Sequence, residues 1–333
     1  DDPHHGRGGP LNVTRSQNRY AALDRVIAAA ESCGHSANPD YNGYGQDGFG
    51  YFQLTQKNGL RHSAKTAYLN PVRRRPNLRV ITRAHVTGLI FSDTDSENPR
   101  VIGVAFHSKG SGRQAMATSE VVLAAGAIQS PQILELSGIG NPHHLAQLGI
   151  VVTKPLQGVG ENLADHYISR LSWRLRGLIS LNQRSRGVGL AAEIVRFALT
   201  RRGMLSMPAG ILTGFVRSRE GLVGPDIQYH IAHASFANPE KRVFDTFPGL
   251  TIGPCQLRPQ SRGSVHAASA DPFAAPKIRP NYLSTDEDCR VHVAGMRMAR
   301  QIMECDAMAP HVTHELNPGA VAASDDDLIA YAR

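Results

Sequence analysis

No stretch of this chain approaches the ~20 consecutive apolar residues that a membrane-spanning helix needs, and the opening "DDPHHGRGGP" lacks the charged-then-apolar layout of a signal peptide. Cysteine is scarce. Cys33, Cys255, Cys289 and Cys305 lie far apart and form no C-x-x-C, which argues against a structural zinc and makes separate thiols in a reducing compartment the expectation. There is no G-x-S-x-G elbow, no H-E-x-x-H and no P-loop, so the common hydrolase and nucleoside-triphosphatase signatures are excluded. Internal repeats and low-complexity tracts are also missing, which removes solenoid and linker architectures.

What is present is a globular composition: 333 residues, 41% hydrophobic, enough for two domains with real cores. Lys and Arg number 36 against 28 Asp and Glu, a formal net charge of +8. The basic residues are scattered, and the one cluster, Arg73 to Arg75, sits in a turn between Pro71 and Pro76 with no aromatic-interleaved stripe after it. This favours a solvated loop, or attraction for an anionic cofactor, over nucleic-acid binding.

Periodicity divides the chain. Ser16 is placed to cap a helix running to about Cys33, with Leu23, Val26, Ile27 and Ala30 on one face and Gly34 past its end. A second short helix is expected to start at Ser63 and stop before Pro71. From Asn77 the period becomes two: "LRVITRAHV", "GLIFSD", "RVIGVAFHS" and "EVVLAAGA" read as strands, with turns at "DTDSENP" and "SKGSGRQ". The last run is apolar on both faces, as in a sheet covered on both sides. After Asp165 come "YISRLSWRLRG", a helical "GLAAEIVRFALTRRG", and strand candidates "PDIQYHIAHASF" and "LTIGPCQLRP". Ser284 and Glu287 read as a capping box before a helix with a Val291, Ala294, Met298 and Ile302 stripe, and Ser324 opens another whose first turn carries Asp325 to Asp327.

Two glycine patterns compete for attention. Asn42 to Gly50, "NGYGQDGFG", contains a literal G-x-G-x-x-G, but a polar, proline-broken segment precedes it and a strand follows it. A dinucleotide turn needs a buried strand before and a helix start after, so this string reads as a loop. Val121 to Gly140, "VVLAAGAIQSPQILELSGIG", has the missing context: a strand ending in Ala125-Gly126-Ala127, then Ser130 to cap and Pro131 to open a helix that Gly138 can end. His230 and His233 are three apart in a strand, hence on opposite faces and unsuited to sharing a metal, so no metal site is expected.

The stretch "GAIQSPQILELSGIG" resembles a signature of the glucose-methanol-choline (GMC) family of flavin oxidoreductases, in which a small residue pair, Ser/Thr-Pro, two aliphatics and Ser-Gly-aliphatic-Gly recur at fixed spacing. The segments "DYNGYGQDGFGYFQLTQKNGLRHSAKTAYL", "RPNLRVITRAHVTGLIF", "LGIVVTKPLQGVGENLADH", "SRGSVH" and "IRPNYLSTDED" are similar to other parts of that family, closest to its choline-dehydrogenase-like branch. The resemblance extends over nearly the whole chain.

It implies an α/β fold with an α+β second domain: part of a Rossmann-like FAD-binding domain over 60–165, a substrate domain over 10–59 and 166–318 with an antiparallel sheet flanked by helices, and a return to the FAD domain at 319–333. It implies FAD, an alcohol substrate, hydride transfer to flavin N5, and a histidine base. Carried over by position, Val86 would touch the adenine through its backbone, and Ala125 and Gly126 would line the FAD site. The family's phosphate-binding G-x-G-x-x-G and its H-P-x-G-T-C-type stretch with the catalytic histidine have no counterpart in these residues. The expectation is therefore a chain truncated at both ends, inactive by itself, with no catalytic residue assigned; His166, His230 and His233 are not given that role. The alternative is a non-redox lyase or catalytically dead binding protein on the same scaffold. Oxygen or a quinone or respiratory carrier remains open as acceptor. A cytoplasmic location is expected, with membrane association open.

Overall fold

A computed structural model describes residues 3–16, 18–92, 98–208 and 210–333. In chain order its main elements are α1 (Ala21–Ser32), β1 (Gly48–Tyr51), β2 (Ala84–Phe91), β3 (Val101–Ser108), β4 (Ser111–Met116), α2 (Gly126–Leu136), α3 (Pro142–Gln147), β5 (Leu171–Leu175) and α4 (Gly187–Thr200). They continue with β6 (Gly210–Val216), β7 (Ile227–Ala232), β8 (Gly249–Gln256), β9 (Ser264–His266), β10 (Lys277–Arg279), α5 (Asp286–Glu304), β11 (Val312–Asn317) and α6 (Asp325–Ala332). They form two compact units. The first holds Asp1–Pro76, His166–Arg258 and Thr285–Arg333, the second Asn77–Asp165 and Pro259–Ser284. Residues 60–76 thus fall in the first unit and 259–284 in the second.

The first unit is built on a six-stranded antiparallel sheet in the order β11-β5-β8-β7-β6-β1. On β7, Ile227, Tyr229 and Ile231 are buried while His230 is exposed, the alternation expected of a sheet with one covered face. α5 lies against that face: Gly295 accepts from the Tyr229 hydroxyl at 2.8 Å, and a Cβ at Gly295 would come within 2.8 Å of Pro254. Every residue of β8 is buried, and each fully buried Leu or Ile such as Leu250 and Ile252 contributes ~1.5–3 kcal/mol.

In the second unit, β2, β3 and β4 make a three-stranded antiparallel sheet, and β9 pairs with β10. α2 is sewn to β2 at one end, where the Ser137 hydroxyl donates to Ile133 O at 2.6 Å and accepts from Leu89 N at 2.9 Å.

Several sequence expectations shift. The expected strands "LRVITRAHV" and "GLIFSD" are one strand, β2, bulged between Val86 and Gly88, and Val80 and Ile81 lie outside it, exposed. The turn expected at "SKGSGRQ" tightens to Lys109-Gly110, with Ser108 ending β3 and Ser111 onward belonging to β4. Of the "DTDSENP" turn, residues 93–97 lie outside the described residues. "EVVLAAGA" is not a strand: none of the described strands pairs with it, and Val122 is 77% exposed. An extended apolar run becomes a strand only when neighbours satisfy its backbone.

Helix ends shift for local reasons. α1 begins at Ala21 with Tyr20, not Ser16, at its N-cap. Near Ser63 the chain forms a π-turn, Lys65–Leu69, and continues helically through Pro71, whose place in the first turn of Asn70–Val72 spares any N–H bond. α5 is capped by Thr285, whose hydroxyl accepts from Asp288 N at 3.2 Å, rather than by Ser284; its Val291 and Ile302 are buried as expected, but Ala294 and Met298 only partly. The Ser324 cap on α6 is as read. The cysteines are a correction: Cys33 and Cys305, at the C-caps of α1 and α5, form a disulfide. Two helix ends brought together across 272 residues are invisible to local spacing.

Candidate functional sites

The opening glycine string has a packing role. Gly48 and Gly50 belong to β1, where a Cβ on either would collide with backbone of 36–38, and a Cβ on Gly214 would collide with the Phe49 ring. Nothing there is shaped for a phosphate.

The start of α2 is different. Gly126 is its first residue, with φ of +87°, a backbone conformation that disfavours side chains. A Cβ there would meet nothing within 4 Å, so the backbone faces open space. Ala125, at the N-cap, supplies no side-chain hydrogen bond, and no acidic residue occupies the first turn. The leading N–H groups of this 11-residue helix therefore lack the side-chain cap that usually satisfies one of them, at the end where the helix dipole favours an anion. Ser130 and Pro131, read from sequence as cap and first residue, lie inside the helix instead. Pro131 cannot donate to the Ala127 carbonyl, and both residues line a cleft of about 700 Å³. Leu134 of the same helix also lines it, together with the loop Gly158 to Ala164, Leu156 and Val265. Val86 is half-buried on β2, opposite Phe106, at the bulge in the strand that packs along α2.

The second candidate site is in the first unit, on the sheet face opposite α5. A cavity of about 580 Å³ is bordered by His230 and Ala232 of β7, Thr251 and Gly253 of β8, and Gly210, with Ile168, Arg170, Phe236, Pro239 and Arg242 around them. None of these residues is acidic. Although much of its surface is exposed, partial desolvation of the His230 ring where it borders the cavity, then the charges of His166 and Arg170, holds its pKa below the usual value, so it stands neutral near pH 7. His166 reaches the Leu257 carbonyl at 3.1 Å. His233, beyond the end of β7, is wholly buried against the Tyr20 ring at 4.0 Å, and burial and Arg184 push its pKa down to about 3. The sequence reading put both histidines in one strand, but His233 lies past its end, so its burial comes from the following loop and not from strand alternation. Arg170 and Arg242 carried no sequence signal, because only strand pairing brings them to one cavity.

Among the described residues no helix is long and apolar enough to cross a membrane. The GMC oxidoreductase family models match residues 6–168 and 259–333. An alcohol dehydrogenase [acceptor] of Pseudomonas putida is 33% identical across 99% of this chain and 59% of its own length. The mitochondrial choline dehydrogenase of Homo sapiens is 35% identical across 98% of this chain and 54% of its own. The chain thus spans little more than half the length of these relatives. A solved formate oxidase of Aspergillus oryzae superposes with a TM-score of 0.86 at 22% identity, covering 98% of this chain and 61% of the oxidase, a likeness of fold.

Proposed function

From the premise that this chain belongs to the GMC oxidoreductase family, we propose that its parent protein is an FAD-dependent oxidoreductase that oxidises the CH–OH group of a small alcohol. The observation that carries the reading is the start of α2, an open positive-φ glycine at a helix N-terminus with no side-chain cap. These residues fit a flavin dinucleotide: Ala125 and Gly126 leave room for close approach, and Val86 offers strand backbone at a bulge. FAD, when bound, supplies the two-electron acceptor for the hydride of the alcohol carbon. Proton abstraction is not assigned to any residue described above. The family's H-P-x-G-T-C-type stretch does not occur in these 333 residues, and we expect the chain by itself not to turn over alcohol.

The sheet-face cavity, read as the alcohol pocket, is what supports a substrate class. Arg170 and Arg242 place positive charge at its border, His230 adds a neutral imidazole, and no carboxylate answers them. Such a lining disfavours a quaternary ammonium alcohol like choline and favours a neutral or carboxylate-bearing one. The acceptor, oxygen or a quinone-type carrier, is left open by both sites.

The test is anaerobic mixing of the flavin-loaded full-length protein with a panel of alcohols. The flavin band should bleach with neutral or anionic alcohols and respond poorly to choline. Bound flavin that no alcohol bleaches would favour the non-redox alternative, and fastest bleaching by choline would reject the substrate class alone.

A further inference from the structure

Away from the α2 N-terminus, the second unit gathers three side chains that neither the flavin nor the alcohol employs. Glu135, near the end of α2, is wholly buried. Its Oε1 lies 2.7 Å from His266 Nδ1, its Oε2 accepts from Ala267 N at 2.6 Å, and the same oxygen is 3.8 Å from His144 Nε2 on α3. His266, at the end of β9, reaches Glu161 Oε1 with its other nitrogen at 3.1 Å. His144 Nε2 is shut off from solvent and has no hydrogen-bond partner.

Hydrogen-bond accounting does not close with neutral rings. A neutral imidazole carries one N–H and one lone pair. If His266 donates to Glu161, its Nδ1 lone pair faces a carboxylate oxygen at 2.7 Å, and His144 presents a second nitrogen to the same carboxylate. One added proton, on His266, would serve both of its carboxylate contacts, but it leaves the buried His144 Nε2, 3.8 Å from Glu135, without a hydrogen bond. A divalent cation would engage Glu135, His144 and His266 together.

The surroundings are shaped for these rings. A Cβ on Gly160, whose φ is +81°, would come within 2.6 Å of His266 Nδ1, and one on Gly140 within 3.2 Å of Glu135 Cγ. Both glycines therefore leave the space that the ligands occupy.

We propose that Glu135, His144 and His266 bind a divalent transition-metal cation of the zinc class, with Glu161 as the positioning residue that orients His266. The three donor atoms lie within 4.8 Å of one another. Tetrahedral zinc with bonds of ~2.0–2.1 Å separates its ligand atoms by about 3.3 Å, so Glu135 and His266, 2.7 Å apart, would open slightly around the ion and His144, 3.8 Å from Glu135, would close on it. Two imidazoles and one carboxylate are a zinc-type donor set that leaves a position for water, and a carboxylate holding the distal nitrogen of a metal-bound histidine is the usual outer partner. Glu161 also lines the α2 cleft, which gives the ion an entry path. The cation would tie α2, α3 and β9 together, a structural role independent of the flavin. The expectation from sequence was no metal at all; the cysteines and the His230/His233 pair considered there take no part in this cluster.

The test uses full-length, tag-free protein, stripped with chelator and titrated with Zn²⁺, then with Co²⁺ for its absorption spectrum. One equivalent should bind, with a tetrahedral Co²⁺ spectrum showing nitrogen and oxygen ligation and no thiolate band. His144→Ala should abolish that equivalent while the exposed neighbour His143→Ala keeps it, and Glu161→Gln should weaken binding roughly 10–100-fold. Should Glu135→Gln fail to fold, X-ray absorption on the wild-type zinc complex still counts the imidazoles. Absence of stoichiometric binding, or binding unchanged in His144→Ala, overturns the proposal and leaves the cluster an ion-paired network.

Discussion

Gly126→Ala separates strain from cofactor contact. At φ of +87° an added methyl is strained by ~1–2 kcal/mol, and because nothing lies within 4 Å of the new Cβ, no clash adds to it. Gly110, in the Lys109-Gly110 turn of the same unit, has φ of +78° and equally empty surroundings, so Gly110→Ala should cost the same. Denaturant unfolding should show both variants destabilised by ~1–2 kcal/mol. Flavin titration should then part them. If a dinucleotide packs on the open backbone of α2, the Gly126 methyl stands in its way, and a further loss of only 1.4 kcal/mol already means a tenfold weaker Kd. Equal flavin affinity in the two variants, or in Gly126→Ala and wild type, would refute the placement of the cofactor at Ala125 and Gly126.

Thr285→Ala should destabilise α5 by ~1 kcal/mol in urea melts while Ser284→Ala changes little, because only the Thr285 hydroxyl accepts from the first turn; the reverse order would restore the sequence-read cap. The buried His233 sets a pH response. Its folded pKa of about 3 lies below the ordinary 6.5, so the unfolded chain binds the extra proton in that window, and stability falls on acidification by up to ~1.4 kcal/mol per pH unit and is flat above. His292, depressed to about 4 by burial, acts in the same direction. His233→Phe should therefore make the stability profile distinctly shallower between about pH 5 and 6.5, where model carboxylates are already ionised, with His292 keeping part of the slope; an unchanged slope would reject the buried neutral ring.

The fold was legible where a segment's own pattern decides its state. Alternation in "PDIQYHIAH" marked β7, and Ser324 with its following aspartates marked α6, because burial of one face and capping of one helix end are local matters. Legibility failed where the partner is remote. Val121 to Ala125 has the composition of a buried strand, yet no described strand pairs with it. Thr285 outcompeted Ser284 by a single residue of register, and Cys33 found Cys305 through two helices meeting at their ends.

The same division explains the sites. The glycine turn before α2, where we propose the flavin, could be picked out because an apolar run, a glycine and a helical segment are contiguous in sequence. The sheet-face cavity was not, since its lining depends on register between β7 and β8: His230 pairs with Gly253, and a Cβ on Gly253 would come within 2.6 Å of Ile168. That glycine leaves room for the Ile168 side chain, so the 168–170 segment crosses the sheet and brings Arg170 beside His230, a constraint set by contact between residues more than eighty positions apart. The positive border of the cavity is thus a product of sheet geometry rather than of any motif. Changing Gly253 should therefore perturb substrate selection through Ile168 and Arg170, although Gly253 itself has no side chain with which to touch a substrate.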